Sequence, residues 1–318
     1  MSHSSFAYLT DTRFGGFLNA PHPSLRPNTR FAVAGVAWDG SVTNRPGARF
    51  GPYQIRRASH MYCDGTHPLF DISVNDQLAD VGDLALPNTS LESMRAALMP
   101  QAEALIQAHH MLWLGGDHSI TLPLLRAYRK QYGRPLALVH FDAHCDTWSD
   151  HFGEPSGHGT WTYEAITEGL IDPTLTTQIG IRSSGVREAR EFVADQGGRI
   201  FTARDLRGCE SAAQLHDVIS HVQTRVGDAP VYLSLDIDCL DPAFAPGTGT
   251  PEPGGMSANQ VLSLLESWSG LNWVGMDLCE VAPPYDQSEL TSNAAACFAW
   301  TYLCAVAAAK TKFPARDF

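Results

Sequence analysis

Val231-Tyr-Leu-Ser-Leu-Asp236-Ile-Asp238-Cys-Leu-Asp241-Pro242 runs from a β-branched and aromatic segment into carboxylates, then into the turn-rich Ala-Phe-Ala-Pro246-Gly-Thr-Gly-Thr-Pro251. The apolar start predicts a buried strand. Asp236 and Asp238 sit two apart, so an extended chain projects both to one face. Like charges that close are costly unless a cation lies between them. Taken alone, an Asp-x-Asp pair reads as the cap of a following turn or helix. A matching constellation upstream changes that reading.

The upstream constellation is Val139-His140-Phe141-Asp142-Ala-His144-Cys-Asp146, and it follows the apolar run Pro135-Leu-Ala-Leu-Val. The i, i+2, i+4 spacing of Asp142, His144 and Asp146 predicts one face of an extended strand end. A third piece, Trp113-Leu-Gly115-Gly-Asp117-His118-Ser119, again ends an apolar run in glycine and an imidazole. The candidate set is therefore His118, Asp142, His144, Asp146, Asp236 and Asp238, each at the carboxyl end of an expected strand. Open α/β sheets place their sites there. Such a set suits two divalent metals with some carboxylates bridging. Its richness in oxygen favours Mn over thiolate-loving metals.

The rest of the chain supplies a setting. At 318 residues with 44% hydrophobic content, it can bury a sizeable core. A net charge of −12 argues against a nucleic-acid partner and suits a cationic substrate, although acidity alone serves solubility. Seven cysteines without paired spacing imply reduced thiols in a cytoplasm. Residues 1–29 read as a polar N-terminal arm without an export segment, and no run approaches membrane-spanning length, so no membrane partner is expected.

Strands are expected at 31–37, 78–82, 112–114, 136–141, 176–182, 231–236 and 273–278. Helices are expected from Pro52, over 90–109, 119–131, 160–168, 187–196, 211–225 and 257–267, and from Thr291 to Lys310. This alternation implies an α/β fold, a three-layer α/β/α sandwich with a mostly parallel central sheet in one domain spanning 1–318.

The three motifs, with the loop Arg45-Pro-Gly-Ala-Arg49-Phe-Gly-Pro52, resemble the signatures of the ureohydrolase family, which includes arginase and agmatinase. The resemblance covers nearly the whole chain and implies a binuclear site with two Mn2+ per subunit. Matched residue by residue, it implies that His118, Asp142, Asp146 and Asp236 hold one ion. Asp142, His144, Asp236 and Asp238 would hold the other, with Asp142 and Asp236 bridging. It further implies that a metal-bridging hydroxide attacks a guanidinium carbon to release urea and an amine. Glu280, after the run Met276-Asp-Leu-Cys279, matches the guanidinium-binding glutamate. Asp238 is the candidate acceptor of a proton after attack, and His158 the candidate donor to the leaving amine. Both roles compete with plainer ones, a solvated loop carboxylate for Glu280 and a loop-fixing residue for His158. Trimers or hexamers are also implied.

The substrate tail is read from 147–161. That stretch lacks the arginase Ser/Asn pattern and contains no Arg or Lys. Asp150, Glu154 or an aromatic such as Trp148, Trp161 or Tyr163 could receive a distal ammonium. Agmatine, hydrolysed to putrescine and urea, is thus the expected substrate. The alternatives are guanidinobutyrate or guanidinopropionate, whose carboxylates want a cation such as Arg45 or Arg49. Arginine, a non-catalytic metal-binding role and a deacetylase on a similar fold fit less well.

Overall fold

Neighbouring residues of a strand here feed two different cores. Phe31 and Val33 pack into one, with Leu112, Leu114, Val139 and Phe141. Ala32, Ala34 and Val36 pack into the other, with Met111, Trp113, Leu136 and Leu138. The period-two alternation of a strand therefore apolar-lines both faces, as a parallel sheet covered on both sides requires.

The computed structural model describes residues 15–309 apart from Pro27 and Cys63. The strands are β1 (Phe31–Val36), β2 (Thr66–His67), β3 (Ile72–Ser73), β4 (Leu78–Asp83), β5 (His110–Gly115), β6 (Leu136–Phe141), β7 (Ile171–Ile181), β8 (Arg199–Thr202), β9 (Val231–Asp236) and β10 (Trp273–Cys279). Strands β2 and β3 form a small antiparallel pair. The others form an 8-stranded sheet in the order β4-β1-β5-β10-β9-β6-β7-β8. Every pairing in it is parallel.

The principal helices are α1 (Gly51–Ser59), α2 (Leu91–Ala108), α3 (Thr121–Tyr132), α4 (Trp161–Thr167), α5 (His216–Val226), α6 (Ala258–Ser267) and α7 (Leu290–Ala308). Met94, Leu98, Ala102 and Ile106 line the buried stripe of α2, and Ser90 caps it by accepting from Ser93 N. Ser257 and Gln260 close a capping box on α6. Gly133, at φ 68°, ends α3 in the left-handed conformation that glycine adopts without penalty. Helices α2, α3 and α4 cover one face of the sheet, and α1, α5, α6 and α7 the other. The result is the expected α/β/α sandwich, with a fully parallel central sheet.

Register sets up the site. Leu114 of β5 pairs with Leu278 of β10, Leu278 with Leu235 of β9, and Leu235 with Phe141 of β6. These four adjacent strands thus run out together. The residues just beyond that row, Gly115, Cys279, Asp236 and Asp142, stand side by side at one edge of the sheet.

Several expectations change. Strand β7 begins at Ile171 rather than 176, and β8 was not foreseen, because a four-residue edge strand opening on Arg199 carries no periodic signal. The helix expected over 187–196 is two pieces, Arg187–Arg190 and Phe192–Asp195, and the one expected from 211 starts at His216. Residues 287–308, most of them α7, are long and apolar enough to cross a membrane by length and composition, contrary to the sequence reading. However, 78% of the 18-residue apolar window within them is buried in the protein. Of the expected arm over 1–29, residues 1–14 and 27 lie outside the described residues, as does Lys310. Phe17 and Leu18 are buried and tied down, Phe17 N donating to Asp80 Oδ2 and Leu18 N to Ser59 Oγ.

Candidate metal centre and active site

His118 arrives at the site through a tight exit from β5. A Cβ on Gly116 would lie 1.6 Å from the Trp38 carbonyl oxygen, so only glycine lets the chain pass. Asp117 then caps the turn His118–Ile120 by accepting from Ser119 N. The ring of His118 is oriented from behind. Its Nε2 stands 2.8 Å from Ser234 Oγ, which donates its own proton to Asp277 Oδ1 at 2.7 Å. Ser234 is therefore an acceptor towards His118, and Nε2 carries the hydrogen. Nδ1 faces Asp142 Oδ2, Asp146 Oδ2 and Asp236 Oδ2, each at 3.2 Å, and has no hydrogen-bond partner in the protein.

This arrangement tests the fit of a metal. Nitrogen and oxygen lone pairs converging in a buried space repel one another unless a cation stands among them. Ligand atoms about 2.1–2.2 Å from one ion lie about 3.0–3.1 Å apart at right angles, close to the spacing found. Burial works to lower the His118 pKa, but the three carboxylates outweigh it and raise it well above the ordinary value. A proton holds the place that a metal would take, so metal binding displaces it.

A second cluster shares one ligand with the first. His144 Nδ1 lies 3.0 Å from Asp238 Oδ2 and 3.3 Å from Asp142 Oδ1. Asp142 thus turns one oxygen to each histidine. Burial and the neighbouring Asp238 and Asp142 push the Asp236 carboxyl well above its usual range. Burial also works to raise Asp142, but the imidazoles of His118, His140 and His144 hold it well below the usual range. Four buried carboxylates at the edge of one sheet leave an excess of negative charge that divalent ions neutralise.

Neither acidic motif is extended. Asp236 ends β9, and Asp238 lies in the 3-10 turn Ile237–Cys239, where Asp236 accepts from Asp238 N at 2.8 Å. Asp142 likewise accepts from His144 N at 2.6 Å, and Asp146 has a φ of 50°. The capping role weighed for the Asp-x-Asp pair is real, and it leaves room for a cation, because a carboxylate oxygen that accepts one hydrogen bond keeps a second lone pair.

The structure reveals supporting residues that the sequence reading passed over. His140, fully buried, stands 2.9 Å from Asp142 Oδ2 through Nε2, while Gln178 Nε2 donates to its Nδ1 at 3.1 Å. That bond fixes His140 as a donor to a ligand and not a ligand itself. Its place one residue ahead of Phe141, on the same strand face as Asp142, was the available signal. Thr250 Oγ1 donates to Asp238 Oδ2 at 3.0 Å.

Glu280 follows β10 in a left-handed conformation, φ 67°, uncommon for a residue with a side chain. Its Oε1 accepts from His118 N at 3.0 Å and bonds His158 Nδ1 at 2.9 Å, and its buried Oε2 has no partner. Burial lowers the His158 pKa, but Glu280 overrides it and holds it up to about 9. Thr43 N, 3.2 Å from His158 Nε2, acts the other way, since a protonated Nε2 cannot accept it. This longer, neutral bond is the weaker influence.

A cavity of about 340 Å3 opens over the clusters, lined by Thr43, His144, Asp146, Trp148, Asp150, His151, Phe152, His158, Gly159, Asp236 and Thr250. Asp150 and Trp148 are thus where a tail could meet them. Trp161 is not: it is fully buried behind the ligands, and its indole N–H donates to Asp146 Oδ2 at 2.7 Å. Glu154 and Tyr163 do not line the cavity either. Glu154 is exposed and its main chain pairs with His151, while Tyr163 packs on Phe192. Arg49 pairs with Asp39 and Arg45 lies over the Tyr285 ring, so neither lines the cavity.

Residues 29–304 match the model of the arginase family. A protein named agmatinase from Cronobacter sakazakii is 44% identical over 301 residues, covering 93% of this chain and 94% of its own. Among solved structures, proclavaminate amidino hydrolase from Streptomyces clavuligerus superposes with a TM-score of 0.85 at 37% identity, covering 93% of this chain and 97% of that one. A hypothetical agmatinase from Burkholderia thailandensis gives 0.83 at 39% identity, covering 91% and 90%.

Proposed function

The chain belongs to the arginase family, and we propose that it hydrolyses agmatine to putrescine and urea with two Mn2+ per subunit. The observation that carries the substrate is the cavity lining. It holds the Asp150 carboxylate and the rings of Trp148, His151 and Phe152, and among the described residues it holds no lysine or arginine. A distal ammonium finds a carboxylate and aromatic faces there. A carboxylate tail would meet Asp150 with no lysine or arginine beside it, the cationic His158 being already paired with Glu280. The agmatinase relative supports the same reading.

His118, Asp142, Asp146 and Asp236 would hold one ion, and His144, Asp142, Asp236 and Asp238 the other. Such a pair supplies Lewis acidity and a water acidic enough to lose a proton near neutral pH. Glu280 Oε2, buried and without a partner, binds a guanidinium N–H and holds its carbon over the clusters. Asp238 takes the proton released as water adds to that carbon. His158, protonated through its contact with Glu280, gives a proton to the departing amine nitrogen. We take the assembly to be a trimer or hexamer, which sedimentation would establish.

A hydrolase for a guanidino acid is the second reading, favoured by the equally close fit to proclavaminate amidino hydrolase. The two are separated by kcat/KM for agmatine against 4-guanidinobutyrate at equal Mn2+. These carry the same guanidine and opposite tails. An unpaired tail charge should favour agmatine by at least about thirtyfold. A higher value for the acid would reject agmatine.

A further inference from the structure

One side of the His144 cluster is built by a segment that supplies no ligand. Thr250 Oγ1 donates to Asp238 Oδ2 at 3.0 Å, and Glu252 Oε1 stands 3.9 Å from His144 Nε2, the ring nitrogen turned away from the cluster. The segment 248–252 belongs to no helix or strand, so something outside it must hold it in place.

Arg182, one residue beyond β7, occupies that position. Its Nη2 donates to the carbonyls of Asp238 at 2.8 Å, Leu240 at 3.1 Å and Glu252 at 2.6 Å. Nη1 donates to Gly180 at 3.2 Å and Cys239 at 3.1 Å, and Nε to Glu252 at 3.1 Å. One guanidinium thus ties the ligand-bearing turn 238–240 to the segment that carries Thr250 and Glu252. The neighbouring Ser183 Oγ donates to Glu252 Oε1 at 2.9 Å and turns that carboxylate towards His144. Gly255 makes the room: a Cβ there would lie 2.6 Å from Arg182 Nη2 and 2.5 Å from Asp241 N. The planar fork of arginine suits this role, because a single ammonium cannot reach so many acceptors at once.

We propose that Arg182 is a positioning residue that sets the metal affinity of the His144 cluster and leaves the His118 cluster largely unaffected. The His118 ligands are held by other groups, Ser234 behind His118, His140 on Asp142 and Trp161 on Asp146. Outer groups that hydrogen-bond a ligating side chain or hold its loop, as Thr250 does Asp238 and Arg182 does the turn 238–240, fix the ligand's orientation, and losing such support costs about tenfold to a hundredfold in metal affinity. The proposal rests on the reading that the two clusters hold two divalent ions.

The test is direct titration of metal-free protein with Mn2+, read by calorimetry and by metal analysis after dialysis, with no substrate present. Wild type should bind two equivalents. Arg182→Gln should keep one near wild-type affinity and weaken the other by about tenfold or more. Arg182→Lys, which retains charge and part of the bonding, should lie between. Equal weakening of both equivalents in Arg182→Gln, or no weakening of either, would overturn the proposal. Should Arg182→Gln not fold, Arg182→Lys decides by the same criterion, selective weakening supporting the clamp and two unchanged equivalents overturning it. A wild-type chain that binds fewer than two equivalents rejects the two-ion reading, and the clamp with it.

Discussion

Ser234 lies 2.8 Å behind His118 and, by donating to Asp277, forces the hydrogen of the imidazole onto Nε2. The opposite nitrogen is left facing three carboxylate oxygens. A serine two residues before Asp236, on β9 and separated from β5 by β10, thus sets the tautomer of a histidine after β5. Replacing Ser234 by Ala should leave the fold intact and weaken one Mn2+ equivalent by about tenfold to a hundredfold. Mn2+ titration with circular dichroism as a fold control checks this, and unchanged affinity would mean that Ser234 does not govern the ring.

Asp142 and Asp236 should differ on replacement by Asn. Asp142 turns Oδ2 to His118 and Oδ1 to His144, so its loss should weaken both equivalents. Asp236 turns Oδ2 to His118, while its Oδ1 accepts from Asp238 N and faces neither histidine. Its Asn variant should weaken the His118 equivalent more than the other. Metal analysis that finds two ions retained in the Asp142 variant would refute the bridge.

Glu280→Gln keeps the size and removes the charge. With Oε2 gripping the guanidinium, kcat/KM should fall roughly tenfold to a hundredfold, as for a lost hydrogen bond of about 1.5–3 kcal/mol to a charged group. Mn2+ content should stay near wild type, since Glu280 touches no ligand side chain other than through the His118 main chain. An unchanged kcat/KM would remove Glu280 from substrate binding.

His158 should impose an alkaline limit. Its pKa, held up to about 9, keeps the ring charged at neutral pH, so kcat/KM should fall as pH rises through about 9. The same group affects stability with a definite sign. A raised histidine pKa contributes stability fully present below the ordinary value of about 6.5 and lost as pH rises towards 9. His158→Asn should flatten both profiles in that window. An unaltered alkaline limb of kcat/KM in the variant would assign the proton donor elsewhere.

The chain by itself determined which residues form the candidate ligand set and which strands carry them. Apolar runs that stop abruptly in Asp, His and Gly are local signals, and a parallel sheet needs its strands apolar on both faces. The arrangement of those runs was decided only in three dimensions. Strands β5, β10, β9 and β6 are far apart and out of order in sequence, yet they sit adjacent and in register, which aligns His118, Glu280, Asp236 and Asp142. Tertiary packing also bent both acidic motifs into turns, withdrew Trp161 behind Asp146, and brought Arg182 between two loops. The physical reason is that hydrophobic periodicity reports which face of an element is buried, whereas the direction of a polar side chain is set by partners distant in sequence. A buried histidine, tryptophan or arginine takes whatever donor or acceptor the fold places within reach of it.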